Sequence, residues 1–78
     1  MHWNVKKIKE TETTISIGFS KNDSIDGLIE YDKNAEVFKL ISIAKDCDKF
    51  ESERLFQFLY ALILQEKLSY EVYSINIG

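Results

Sequence analysis

Residues 13–19 read Thr-Thr-Ile-Ser-Ile-Gly-Phe, so the apolar Ile15, Ile17 and Phe19 alternate with Thr14, Ser16 and Gly18. Successive side chains of a strand point to opposite faces, and this period marks a half-buried strand with one apolar face to cover. Upstream, residues 3–9 are also strand-like, but Ile8 breaks the parity shared by Trp3 and Val5. They either continue the strand across a bulge near Glu10 or form a strand of their own. We adopt the single long strand.

Turn chemistry then punctuates the chain. Residues 20–24, Ser-Lys-Asn-Asp-Ser, and residues 32–35, Asp-Lys-Asn-Ala, carry side chains that bond their own backbone. Between and after them, residues 28–31 and 37–44 read as strands. The latter has apolar groups on both parities: Val37, Ile41 and Ile43 on one, Phe38, Leu40 and Ala44 on the other. Such a strand is either central and covered twice or in contact with a partner.

Residues 48–68 carry a helical pattern. Asp48 stands at the N-cap, with Glu51 at capping-box spacing. At about 100° per residue, Leu55, Phe56, Phe58, Leu59, Tyr60, Leu62 and Ile63 cover roughly 200° of the circumference, which is wider than one sheet face requires. Leu64 falls outside that arc. Residues 70–77 close the chain as a last strand, expected to return through a right-handed crossover and to pair in parallel.

The expected architecture is therefore one α+β domain over residues 1–78, ordered β-β-β-α-β. Three antiparallel strands and the final strand form a sheet, and one long helix packs on one of its faces. With 78 residues, 45% hydrophobic and 29% charged, the chain is long enough for one small core.

The chemistry-bearing residues are sparse. Cys47 is the only cysteine, so an internal disulfide is impossible and a reducing, cytoplasmic setting is expected. The following helix N-terminus favours its thiolate while Asp46 and Asp48 beside it oppose it, and the sole histidine, His2, is distant in sequence. Asn22, Ser24, Asp26 and Gly27 match the start of a calcium loop, but Lys33 stands where the bidentate glutamate belongs, so a turn is expected. No phosphate loop, dinucleotide fingerprint or nucleophile elbow occurs, and neither an enzyme nor a cofactor is expected.

Partner expectations follow from charge and apolar surplus. The net charge is −3, and the acidic clusters would repel nucleic acid. No apolar run is long enough for a membrane-spanning helix. The expected function is a non-enzymatic protein-interaction module, most simply a homodimer. Leu28, Phe38 and Leu40 are taken to share one sheet face, with Tyr60 and Leu64 on the helix flank. The alternative is a small acidic inhibitor or adaptor that meets a basic protein through Asp23, Asp26, Glu30, Asp32 and Glu36.

Overall fold

The computed structural model describes residues 2–76. Strands β1 (His2–Glu10), β2 (Thr14–Ser20), β3 (Gly27–Asp32) and β4 (Val37–Ser42) precede helix α1 (Lys49–Leu64), and β5 (Tyr73–Asn76) follows it. They form one five-stranded sheet in the order β4-β3-β2-β1-β5. Four strands, rather than the expected three, therefore lie before the helix. Residues 11–13 make a hairpin where continuation was expected. The hydroxyl of Thr11 accepts from the backbone N–H groups of Thr13 and Thr14, at 3.3 and 3.0 Å, and reverses the chain without glycine. The bulge sits earlier, between Lys7 and Lys9, and Ile8 is its extra residue.

Every paired neighbour in the sheet is antiparallel, including β5 with β1. The expected parallel pairing is thus corrected, and the direction of the helix explains why. α1 starts at the Lys21 end of the sheet, where the ammonium of Lys21 pairs with Glu51. It ends beside Lys7 and Glu10. A strand returning from that end runs against β1, and the Lys7 N–H donates to the Ser69 carbonyl at 2.7 Å to start the pairing. Ile77, the last apolar residue of the expected strand, lies outside the described residues.

The alternation in β2 builds the core. Ile15, Ile17 and Phe19 are buried, and their partners Tyr31, Ile29 and Gly27 share their face. Trp3 and Val5 of β1 and Ile75 of β5 continue it. Leu55, Leu59 and Leu62 of α1 cover it. The wide apolar arc of the helix is largely absorbed. Phe56 stacks on Phe38 at 5.2 Å, while Phe58 lies on the other flank beside Tyr73 and Ile75. A twisted sheet rises on both sides of a helix and accepts more than one stripe.

The helix is capped as its sequence requires. The Asp48 carboxylate accepts from the Glu51 N–H at 2.7 Å, and Glu51 returns a bond to the Asp48 N–H. The C-terminus comes four residues earlier than the pattern suggested. Lys67 N–H donates to the Leu62 carbonyl and Glu66 N–H to the Ile63 carbonyl, which is a Schellman motif. Glu66 holds its left-handed position at φ 56°, where glycine is usual.

Two substitutions test this packing. A Cβ at Gly27 would stand 2.5 Å from the buried ring of Phe19, so Gly27→Ala should cost about 1–3 kcal/mol in urea denaturation. Glu66→Gly should add about 1 kcal/mol, because it removes the left-handed penalty and an anion from the helix C-terminus. Thermal melting should then shift upward by about 4–8 °C.

Candidate functional site

The expected interface residues separate onto two faces. Phe38 and Leu40 pair with Tyr31 and Ile29 and pack against the core on the helix side. Leu28 pairs with Ser42 on the opposite, open face. The grouping of Leu28 with Phe38 and Leu40 is therefore corrected, because alternation puts Leu28 and Ile29 on opposite sides. Tyr60 joins Phe38 across the β4–α1 crevice, and its hydroxyl donates to Glu36 at 3.1 Å. Leu64 lies one turn beyond Tyr60 and is 65% exposed.

The open face carries an apolar patch that the alternation does not forecast. At its centre is Gly18, directly paired with Leu28. A Cβ on Gly18 would stand 2.8 Å from Ile25 Cγ2 and 3.0 Å from Ile8 Cδ1. Ile8 reaches this point because it is a bulge residue. Ile25 reaches it from the loop after β2 at φ 49°, a rare conformation for a β-branched residue. A second bulge in β4 leaves Ile41 unpaired beside Leu28. Ile8 and Ile41 are 47% and 49% exposed. Ile8 gives a sequence signal through its broken parity and Ile41 through the second apolar parity of residues 37–44, whereas Ile25 gives none.

Polar groups fill the rest of this face in an ordered way. Asn4 is buried, donating to the Asn22 carbonyl at 2.8 Å and accepting from the Ser74 hydroxyl at 3.0 Å. Glu30 pairs across the strands with Lys39.

The acidic residues do not form one surface. Asp23 and Asp26 lie at one end of β3 and Asp32 and Glu36 at the other, about 20 Å apart by strand rise. Several of the carboxylates serve the backbone. Asp26 accepts from the Lys45 N–H, and that donor with Ser24 holds its pKa low against burial. Asp32 accepts from the Asn34 and Ala35 N–H groups, and Asp46 accepts from the Lys21 N–H. The calcium-like loop is a turn in the same sense. Asn22 Oδ1 accepts from the Ser24 N–H at 2.7 Å, and Ser24 donates to Asp26. Among the described residues, no group of three or more His, Cys, Asp or Glu is placed to hold a metal ion.

Cys47 packs against the core on the helix side and donates to Asp46 at 3.2 Å. His2 adjoins the inward Trp3 and so projects to the other face of the sheet. The two do not meet as a nucleophile and base. Burial, followed by the Asp46 carboxylate, pushes the Cys47 thiol up to about 12.

No known protein-family model matches the chain, and neither a curated protein nor a solved structure shows significant similarity to it. No helix among the described residues is long and apolar enough to cross a membrane.

The thiol state is testable. Native Cys47 should react with iodoacetamide at pH 8 at least about tenfold more slowly than in the urea-unfolded chain, since only the thiolate attacks. The raised folded pKa favours the protonated, folded state. This contribution should be fully present below the unfolded value near 9 and should fade as pH rises toward 12. Native reactivity equal to the unfolded rate would contradict this.

Proposed function

We propose that the chain is a non-enzymatic protein-interaction module that self-associates as a homodimer through the open face of its sheet. The supporting observation is the patch of Ile8, Ile25, Leu28 and Ile41 around Gly18, in which Ile8 and Ile41 are exposed, Ile25 and Leu28 are half-buried, and which no other described element covers. Three of these residues arrive through irregular backbone, two at bulges and one at positive φ. Strained or irregular backbone persists where the surrounding structure over-determines it, and it clusters at functional positions.

A second copy suits the patch on two grounds. Sheets pack face to face at about 10 Å by interdigitating side chains of this size. The rim carries both charge signs, with Lys6 beside Gly18 on one side and the Glu30–Lys39 pair on the other. A two-fold axis can then set a lysine of one copy against a glutamate of its partner. The single unpaired thiol accords with a cytoplasmic setting. The acidic-inhibitor reading has less support, because Asp26, Asp32 and Asp46 are committed to backbone donors and the cluster is split between the two ends of β3.

Sedimentation velocity tests the dimer. The wild type should sediment as a dimer at micromolar concentrations. Ile8→Lys should weaken association at least about tenfold, equivalent to ~1.4 kcal/mol. Ile25→Asn should do the same while keeping the fold, because asparagine tolerates the left-handed position. Circular dichroism should remain that of the wild type in both. A wild type that stays monomeric at the highest soluble concentration, or variants that associate as tightly as the wild type, would refute the assignment.

A further inference from the structure

The free edge of β4 is a second surface, separate from the open-face patch. β4 ends the strand order, so alternate backbone N–H and C=O groups along it have no strand partner among the described residues. From Val37 to Leu40 it pairs regularly with β3, and the bulge at Ile41 closes that run. Only a short added strand would fit.

Each face of this run borders a depression. On the helix side lies an open hollow of about 540 Å³, walled by Phe38, Phe56, Tyr60 and Glu36. On the other side lies one of about 260 Å³, lined by Glu30, Asp32, Val37 and Lys39. Side chains of an added strand would enter the two in alternation. The stacked rings of Phe38 and Phe56 favour an apolar group on their side. The charge balance favours a cation on the other. There Glu30 and Asp32 face Lys39 alone, because the ammonium of Lys33 is drawn away to Glu10 at 2.5 Å. On the helix side Glu36 raises the Tyr60 phenol, first by its hydrogen bond and then by its charge.

We propose that β4 accepts a short extended peptide as a sixth strand, with apolar residues toward Phe38 and Phe56 alternating with basic residues toward Glu30 and Asp32. The assignment uses a different surface from the homodimer and does not depend on it. The probe is an acetylated, amidated heptapeptide, Lys-Val-Lys-Phe-Lys-Val-Lys, titrated into the full chain labelled with nitrogen-15.

Amide shifts should concentrate on residues 37–41, with slowed hydrogen exchange along β4. A peptide with glutamate in place of each lysine should bind at least about tenfold more weakly. So should one N-methylated at alternate backbone nitrogens, because main-chain pairing supplies the affinity. Shifts centred elsewhere, no binding at millimolar peptide, or equal binding by either control would overturn the proposal. So would concentration-dependent protection of β4 amides without peptide, which would mean that a second copy holds the edge.

Discussion

One helix covers only one face of a five-stranded sheet, and the rest of the structure is arranged around that shortage. Every strand has to send its apolar parity toward α1, and the register does this without exception across the core. Val5 sits opposite Phe19, Ile17 opposite Ile29, Ile15 opposite Tyr31, and Trp3 opposite Ile75. The helix answers with Leu55, Leu59 and Leu62 toward the centre and aromatic residues on both flanks. The opposite face is left to water or to another molecule. Antiparallel sheets tolerate this when that face is polar. Here it is polar around Asn4 and Ser74 and apolar around Gly18, so the two halves of one face have different physical requirements.

The helix-facing half of the molecule was legible in the sequence because it obeys simple periods. The alternation of Ile15, Ile17 and Phe19 and the capping box of Asp48 and Glu51 were read directly, and both appear in the structure. The double apolar character of residues 37–44 posed a choice between a central strand and a strand with a partner. The edge position of β4 removes the first option. The open face was not legible, for a reason with the same root. A bulge or a left-handed residue breaks the period, so Ile8 and Ile25 cannot be assigned to a face until the chain is folded, and Ile41 shows only as part of the second apolar parity of residues 37–44. The break between β1 and β2 leaves no mark in the sequence, because the Thr11 turn is made by a hydroxyl and contains neither glycine nor asparagine.

The acidic composition has an internal explanation that does not require a basic partner. A chain with no proline and only three glycines must turn by side-chain chemistry. Asp32 closes the β3–β4 turn, Asp26 and Asp46 tie the loops at the other end, and Asp48 with Glu51 opens the helix. Each of these carboxylates replaces a backbone partner that would otherwise be water. The net charge of −3 thus owes much to how the connections are built.

The same scarcity of glycine leaves its mark in backbone strain. Ile25, Glu36 and Glu66 all occupy left-handed positions that glycine or asparagine would hold at lower cost. Glu66 terminates a helix, where glycine would serve as well or better. Glu36 gains the hydroxyl of Tyr60, which fixes the wall of the β4 crevice. Ile25 gains contact with Gly18 and Ile8, and that contact forms the centre of the open-face patch. Two of the three strained residues therefore shape the surfaces that the helix leaves uncovered. At Ile25 the cost of the left-handed backbone is offset within the subunit by that contact and by the bond from its N–H to the Ser20 hydroxyl at 3.0 Å.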